Sequence, residues 1–439
     1  MELKRDYYLE KLIRKQGNGL VKVITGVRRC GKSYLLFNLF KNHLLSQGIR
    51  KDHIITLKLD APRNFRYHDP LALETYIHEQ IRDDAVHYIL LDEVQMVRVI
   101  KNPYLNTAVS YDAEDTLSVY DVLNGLLEDY QVDIYVTGSN SRMLSKDILT
   151  QFAGKSDRMH LMPLSFAEWY QAHQGDKRSA LDAYLTYGGM PQLLHIETDA
   201  EKKEYLQNLF DEVYLKDIAG RYRIEYPGIL KELSLILCSS TGSLTNPNKL
   251  SRTIKSEKNL NVGCETVGSY LEYMTDSFLF TEAKRYDVRG RRYFSSISKY
   301  YCVDTGLRNA RLGYRQNDEP HTLENVVFNE LLARGYSVDV GVVESVEQNG
   351  DSQRKRVVRE IDFVVNAANA KEKCYIQVAA SIDGPEKMDQ ELRPFLKLGA
   401  DSHRKILITK TEMPPWIDEY GIKHIGIYDF LLEDDMLMT

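Results

Sequence analysis

The chain contains the stretch Gly26-Val27-Arg28-Arg29-Cys30-Gly31-Lys32-Ser33, which Tyr34 follows. This spacing of two glycines, a lysine and a serine (G-x-x-x-x-G-K-S) is typical of loops that bind nucleotide phosphates. An apolar, β-branched run at 20–24 precedes the loop, and a helix-like apolar spacing at 34–40 follows it. Strand, glycine loop and helix are the arrangement that such a loop requires. The stretch therefore predicts an α/β fold with a parallel sheet and a nucleotide site.

The residue types of the loop predict how it would hold a nucleotide. Gly26 and Gly31 allow backbone angles and a close approach that a side chain would prevent. The N–H groups of residues 26–34 and the start of the next helix would face the phosphates. Lys32 would add a flexible positive charge, and the Ser33 hydroxyl is a natural Mg²⁺ ligand. We therefore expect ATP and Mg²⁺ as cofactors, with GTP left open because no base-reading motif stands out.

A second part of the site is predicted where an apolar run at 87–91 ends in Asp92 and Glu93. A buried parallel strand delivers its last residues to the carboxyl edge of the sheet, where ligands bind. Asp92 is expected to hold the Mg²⁺ shell. Glu93 is expected to orient and partly deprotonate the attacking water.

Two further strands are predicted around this site. The run 132–137 leads to Ser139 and Asn140, either of which could place a polar group near the γ-phosphate or the water. The run 53–59 is expected to supply a strand between the phosphate loop and the Asp-Glu strand. By analogy at the level of the fold, an extra strand there favours the nucleoside triphosphatases that use a glutamate.

The composition bounds the class of protein. At 439 residues the chain has room for about two to four domains, and 43% hydrophobic with 27% charged residues is typical of a soluble globular protein. The five scattered cysteines argue against a disulfide framework or a zinc site and for a reducing cytoplasm. No signal-peptide core and no membrane-length apolar run are present in the sequence. We expect a cytoplasmic chain with no membrane partner.

The middle of the chain predicts a winged helix. A short helix through 255, a longer amphipathic helix at 267–278 and a hairpin at 280–294 follow one another. Residues 249–299 hold ten Lys/Arg and six Asp/Glu, a net charge of +4 in a chain of net charge −6. Such a domain can lay its second helix in a major groove of duplex DNA. The candidate phosphate contacts are Arg285, Arg289, Arg291 and Arg292. The alternative is a winged helix used for packing, with a solvated basic hairpin.

The last 120 residues or so predict an α/β domain that looks like a restriction endonuclease. Such nucleases use an upstream Glu, an Asp on one strand and Glu-x-Lys on the next to hold Mg²⁺ and activate water. Glu324 and Asp362 stand at plausible places, but the Glu-x-Lys positions read Gln377-Val378-Ala379. Glutamine is a weak metal ligand and alanine cannot act as a base. The domain is therefore expected to be catalytically degenerate.

Together these segments resemble the bacterial and archaeal P-loop ATPases of the AAA+ superfamily that carry a C-terminal domain of unknown function (DUF4143). The resemblance covers nearly the whole chain. Its matching segments are 26–33, 90–95, 136–141, 163–166, 187–191, 284–287, 299–301 and 304–309. It implies Mg-ATP binding, slow hydrolysis and a winged helix before a nuclease-like domain. We expect an ATPase core at 1–165, a helical extension at 166–235, a winged helix at 236–315 and a nuclease-like domain at 316–439.

The chain departs from that family at the expected arginine. Catalysis in such ATPases usually needs an arginine, often from a neighbouring subunit, which would require a homo-oligomer. Relatives often carry Arg-Gly-Arg where this chain reads Ala153-Gly154-Lys155, and lysine cannot make the same bidentate contact. Arg158 and Arg221 are the candidate substitutes. A polar stretch at 97–118 also looks like an insertion.

The expected function is an ATPase whose nucleotide state positions the winged-helix and nuclease-like modules on DNA. Two other classes stay open at this point. One is a nuclease that the ATPase regulates. The other is a nucleotide-gated module that binds a protein partner without DNA.

Overall fold

The structure of the chain is a computed structural model. It consists of two compact units, and the boundary between them lies between residues 161 and 162. It describes residues 3–103, 116–139, 152, 154–173, 175–258, 262–316, 318–349, 353–367, 372–382, 384–399, 401–433 and 437. Among these residues, no helix is long and apolar enough to cross a membrane.

The first unit is built on a parallel sheet. The strands described in it are β1 (Val21–Thr25), β2 (Ile54–Lys58), β3 (His87–Asp92), β4 (Ile100–Lys101), β5 (Thr116–Leu117), β6 (Val132–Gly138) and β7 (Ser156–His160). Five of these form the sheet in the order β2-β3-β6-β1-β7, and all its pairings are parallel. Every residue of β1 and β3 is buried. Continuous apolar runs are typical of parallel strands that are covered on both faces.

The strand order corrects one prediction from the sequence. The run 53–59 does form a strand, β2, but this strand lies at the edge of the sheet. The strand between β1 and β3 is β6, which pairs with both of them. Position along the chain does not set position in a parallel sheet, because each crossover can skip a neighbouring strand.

Helices and a short ribbon complete the first unit. The helices are α1 (Asp6–Arg14), α2 (Lys32–Tyr34), α3 (Lys41–Ser46), α4 (Pro70–Gln80) and α5 (Val119–Asp129). A π-helical segment, Leu35–Phe40, joins α2 to α3 without a break. The ribbon pairs β4 with β5 within the expected insertion at 97–118, of which residues 104–115 lie outside the described part.

The second unit begins with helices. They are α6 (Phe166–Ala172), α7 (Lys177–Tyr187), α8 (Asp199–Asn208), α9 (Lys216–Arg221), α10 (Pro227–Ser239), α11 (Pro247–Lys258), α12 (Cys264–Asp276), α13 (Thr305–Arg311), α14 (Glu319–Ala333), α15 (Pro385–Leu396) and α16 (Ile427–Leu432). The stretch 166–235, where the sequence predicts a helical extension, contains α6 to α9 and the first part of α10. Capping boxes begin α6 at Ser165 and α8 at Thr198, where each side chain satisfies a free backbone N–H.

The strands of the second unit form one mixed sheet. They are β8 (Leu244–Thr245), β9 (Phe280–Asp287), β10 (Arg292–Cys302), β11 (Ser337–Asn349), β12 (Gln353–Asn366), β13 (Lys373–Ala379), β14 (Arg404–Thr409), β15 (Trp416–Ile417) and β16 (Lys423–Gly426). In the described part their order is β15-β16-β14-β13-β12-β11-β9-β10-β8. The β9–β10 hairpin joins the C-terminal strands because β9 pairs with β11 in parallel. The predicted modules 236–315 and 316–439 thus share a sheet.

Candidate functional site

The glycine loop follows β1 and ends where α2 begins at Lys32. Its backbone needs glycine at two places. A Cβ on Gly26, which has φ of 149°, would lie 2.3 Å from the carbonyl oxygen of Leu161. Gly31 has φ of 104°, a region that favours glycine. The loop conformation therefore depends on the two residues that define the motif.

The Lys32 ammonium lies over this loop. It donates hydrogen bonds to the carbonyl oxygens of Gly26, at 2.9 Å, and Val27, at 3.0 Å. Only 4% of the residue is exposed. The positive charge is therefore held directly above the backbone that the motif predicts to cradle phosphates.

Asp92 lies at the carboxyl end of β3 and is buried. Its carboxylate accepts hydrogen bonds from the hydroxyls of Thr137, on β6, and Ser33, at the start of α2. Burial raises the pKa of Asp92, and the two hydroxyls oppose this shift only in part. The structure thus brings Ser33 and Asp92 together, as the sequence predicted for the two metal ligands.

Glu93 is held by a small polar network. The residue adopts the left-handed region with φ of 56°, and its N–H donates to Thr137 Oγ1 at 3.0 Å. Its carboxylate accepts from Ser139 Oγ at 3.1 Å and from the Gln95 amide. The Gln95 amide also donates to Ser139 Oγ at 3.3 Å. Ser139 therefore contacts the predicted base, while Asn140 lies outside the described residues.

Sequence reasoning missed several residues that support this site. Arg5, buried just before α1, donates to the carbonyl oxygen of Cys30 at 3.2 Å. His160 Nδ1 lies 3.3 Å from Thr25 Oγ1. Burial, and then the charge of Lys32, lower the pKa of His160 to about 4, so its imidazole is neutral at pH 7. These residues stand far from the motif in sequence, and no local pattern marks them.

The remaining residues of the glycine loop differ in their burial and in their contacts within the protein. Cys30 is fully buried and its thiol donates to the Leu161 carbonyl at 3.4 Å. Burial raises the pKa of this thiol, which disfavours the reactive thiolate. Tyr34 Oη accepts from the N–H of Leu3 at 3.3 Å. Arg28 is half-buried and Arg29 is exposed, with φ of 62° at Arg29.

The candidate catalytic arginines differ in their surroundings. Lys155 forms an exposed ion pair with Glu128. Arg158 lies on β7, opposite Val23 of the glycine-loop strand. Arg221, in the second unit, pairs with Asp217 on its own helix. An arginine acting on the nucleotide stays a prediction.

The basic hairpin has an exposed tip at residues 289–291, whereas Val288 before it is buried. Arg289 donates to the carbonyl oxygens of Glu344, at 3.1 Å, and Lys397, so its guanidinium is used within the unit. Arg292 Nε lies 3.5 Å from Asp287 Oδ2, although 69% of its side chain is exposed. The half-buried Arg285 stacks over Phe294, 5.0 Å from the ring centroid. Arg291 is exposed.

The helix expected to enter a major groove has the wrong charge for that role. The predicted helix at 267–278 is found as α12, which carries Glu265, Glu272 and Asp276 and no lysine or arginine. Exposed basic side chains follow one side of α11 instead, at Lys249, Arg252 and Lys255. Because DNA presents phosphates on both sides of the groove, an acidic helix is repelled there. Contact through α12 is therefore disfavoured.

The predicted nuclease residues are brought together in the second unit. The N–H of Val378, next to Gln377, donates to Asp362 Oδ2 at 2.8 Å, and the Gln377 amide donates to Glu391 at 3.2 Å. Burial, and then the charge of Glu324, raise the pKa of Asp362 well above its ordinary value. Among the described residues, Glu324 and Asp362 belong to no group of three His, Cys, Asp or Glu ligands within 4.8 Å of one another.

The Glu-x-Lys positions contain no lysine, but a lysine from another strand lies beside the acidic residues. Lys299, on β10, lies 3.0 Å from Glu324 Oε1 and 2.6 Å from Glu360 Oε1. Tyr301, on the same strand, donates to Glu324 at 2.6 Å. Burial alone would lower the pKa of Lys299, but the surrounding carboxylates outweigh it and raise the value. The ammonium therefore neutralises the acidic cluster and binds the hairpin to α14.

Lys299→Met is expected to destabilise the second unit by about 3 kcal/mol or more, because it leaves buried carboxylates uncompensated. Both tryptophans, Trp169 and Trp416, belong to this unit, so urea unfolding followed by their fluorescence measures the effect. Lys284→Met, at an exposed position of β9, is the control and should stay within about 0.5 kcal/mol of the wild type. Equal midpoints for the two variants would contradict the buried pairing.

Comparisons with known proteins identify two matching families and two relatives. Residues 18–170 match the AAA domain family, and residues 178–318 match a domain of unknown function (DUF8612). An uncharacterized protein of Haemophilus influenzae is 34% identical over 438 residues, which is 98% of this chain and 99% of that protein. Uncharacterized protein MJ1544 of Methanocaldococcus jannaschii is 27% identical over 390 residues, 86% of this chain and 78% of that protein.

Solved structures share only a distant likeness. The Aeropyrum pernix ORC1 protein in complex with DNA has a TM-score of 0.33 and 12% identity over 71% of this chain and 93% of that one. Cdc6p from Pyrobaculum aerophilum has a TM-score of 0.30 and 12% identity over 71% of this chain and 94% of that one. At these scores the likeness supports no conclusion about this chain.

The parallel sheet, the glycine loop and the Asp-Glu strand end define a P-loop AAA+ type domain joined to a C-terminal mixed sheet. The chain belongs to the same family as the Haemophilus influenzae protein, with which it aligns over nearly its whole length.

Proposed function

We propose that the chain binds Mg-ATP at the glycine loop and hydrolyses it. The observation that carries this proposal is the meeting of Lys32, Ser33, Asp92 and Glu93 at the carboxyl edge of one parallel sheet. Each residue comes with a partner suited to its role. Lys32 is held over the loop, and Glu93 is oriented by Ser139 and Gln95.

The residues present fit a magnesium ion. Ser33 and Asp92 would hold it, since hard oxygen ligands suit this ion and the two side chains already touch. The bound ion would neutralise phosphate charge during transfer. Its charge would also favour the ionised form of the buried Asp92, whose pKa is raised without it.

Glu93 acts on the attacking water. Its carboxylate oxygen accepts hydrogen bonds from Ser139 and Gln95, which fix its direction. A carboxylate in this position accepts the proton as the water attacks the γ-phosphate. The Thr137 hydroxyl donates to Asp92 and accepts from the Glu93 N–H. These two hydrogen bonds link β6 to the end of the neighbouring strand β3.

The nucleotide state is proposed to position the second unit, with its DUF4143-like winged-helix and nuclease-like parts. Helix-strand-helix-helix-hairpin order from α10 to β10 supports the winged helix. The alanine at 379 and the use of Lys299 as a buried counter-charge favour a nuclease-like fold that does not cut. An ATP-regulated nuclease is correspondingly disfavoured.

Association with duplex DNA is the second candidate role. The exposed lysines and arginine of α11 and the exposed Arg291 and Arg292 at the hairpin support it. The acidic α12 favours instead a protein partner that brings basic residues. The sequence-based docking mode, with α12 in the groove, is replaced in this proposal by contact through α11 and the hairpin.

ATP turnover, measured as phosphate release with Mg²⁺ present, tests both roles when duplex DNA is added or left out. We expect turnover to rise with DNA and the rise to weaken steeply with salt. Arg291→Gln with Arg292→Gln should reduce the DNA effect and leave turnover without DNA unchanged; Lys387→Gln, at an exposed site of α15, is the control. Turnover indifferent to DNA would favour the protein partner.

A further inference from the structure

Two histidines and an aspartate meet at the edge of the first sheet opposite the nucleotide site. His53 directly precedes β2, His87 is the first residue of β3, and Asp83 lies in the loop between α4 and β3. The starts of these parallel strands mark the amino edge of the sheet. Asp92 and Glu93 lie at the other end of β3, so this cluster is separate from the proposed ATPase chemistry.

The ligand atoms of the three side chains are close. His53 Nε2 lies 3.1 Å from Asp83 Oδ2, and His87 Nε2 lies 4.0 Å from Asp83 Oδ1. One ligand atom from each residue lies within 4.8 Å of the others. Ligands around a tetrahedral ion with bonds of 2.0–2.1 Å are separated by about 3.3 Å. Small side-chain rotations would therefore bring all three to that spacing.

His87 is oriented as a metal ligand. Its Nδ1 lies 2.8 Å from the carbonyl oxygen of Ala85, which fixes the proton on Nδ1 and leaves a lone pair on Nε2. Nε2 is buried and has no hydrogen-bond partner among the described residues, and the side chain is 1% exposed. Leaving such an atom unpaired costs free energy. A cation between Nε2 and the other two ligands would satisfy it.

Ala85 also orients the carboxylate. Its N–H donates to Asp83 Oδ1 at 3.2 Å, so one residue holds both an imidazole and a carboxylate through its backbone. Backbone groups that fix ligands in this way are typical of metal centres. The competing cation is Arg50, whose guanidinium lies 3.6 Å from Asp83 Oδ2. Its side chain is 60% exposed and already donates to Asp52, at 3.0 Å from Nε to Oδ1.

We propose that His53, Asp83 and His87 bind a divalent transition-metal ion of the zinc type, with water as a further ligand. Two imidazoles and one carboxylate form a donor set that suits such ions better than Mg²⁺ or Ca²⁺. The ion would tie the start of β2 to the start of β3 and thereby stabilise this edge of the sheet. Counting cysteines, as in the sequence-based argument against zinc, cannot detect a site without sulfur.

Cobalt binding to the full chain tests this inference. The chain is treated with a chelator, dialysed without nucleotide and titrated with Co²⁺ while its visible absorption is recorded. We expect saturable binding of one ion per chain, with the absorption of a low-coordinate site, and displacement by Zn²⁺. His53→Gln and Asp83→Asn should each weaken binding at least about tenfold. Asp83 is 40% exposed, so its substitution is the variant best tolerated by the fold.

Two controls separate this site from other ligands. His78→Gln removes a histidine of α4 whose Nδ1 contacts Tyr130 Oη at 2.6 Å, and it should leave cobalt binding unchanged. Cys264→Ser removes the exposed thiol and should also have no effect. The inference is overturned by a wild-type chain without saturable uptake, by uptake unchanged in both ligand variants, or by absorption that disappears with Cys264. Nucleotide turnover is not needed for the readout, so failure here would leave the ATPase proposal intact.

Discussion

Glu93→Gln is expected to keep ATP binding and to lose ATP turnover by about 10²- to 10⁴-fold, the range of a general base. The amide has the same shape as the carboxylate but cannot accept the proton from water. The phosphate contacts predicted for the glycine loop do not involve Glu93, so affinity should be retained. Phosphate release and nucleotide affinity, measured on the same preparation, check the two halves of the expectation.

The structure supplies a matched control for this experiment. Asp60 is an exposed acid that follows β2 at the same edge of the sheet, and its charge reaches Asp92 without a direct contact. Asp60→Asn removes one negative charge near the site and should change turnover only slightly. Full turnover in Glu93→Gln would remove Glu93 from its role, and equal losses in both variants would assign the effect to net charge.

Ser139 and Gln95 show why Glu93 could be singled out from the sequence while its neighbours in the structure could not. An apolar run ending in Asp92 and Glu93 is visible in the sequence because a buried parallel strand needs such a run. Gln95 turns back to Glu93 only because Glu93 adopts φ of 56°, and Ser139 reaches it only because β6 lies beside β3. Tertiary neighbours of this kind leave no local pattern.

In the second unit, too, the helices and strands could be predicted from local sequence patterns, whereas the pairing of distant strands could not. Helices and hairpin were predicted from apolar spacing, and β9, β10 and α12 lie close to the expected places. The pairing of β9 with β11 could not be predicted, because it joins distant parts of the chain. That pairing places the hairpin beside the C-terminal strands, which explains how Lys299 reaches Glu324 and why Arg289 is used within the unit.

Lys32→Ala is expected to abolish measurable nucleotide binding at the concentrations that saturate the wild type. The Lys32 ammonium is buried and held at 2.9 Å and 3.0 Å from two loop carbonyls. Removing one member of a buried charge pair costs about 2–5 kcal/mol, which corresponds to a loss of affinity of about 30-fold or more. Calorimetric titration with Mg-ATP measures this loss directly.

The fold of the loop must be kept for this result to be informative. Lys32→Met retains the length of the side chain and removes only its charge, so it should lose affinity as Lys32→Ala does while packing better. Lys58→Ala is the matched control, since Lys58 is an exposed lysine at the carboxyl end of β2 whose ammonium lies over the Phe37 ring. Its affinity should equal that of the wild type. Unchanged affinity in both Lys32 variants would place the nucleotide elsewhere, because the Lys32 ammonium is the positive charge held against the backbone of the glycine loop.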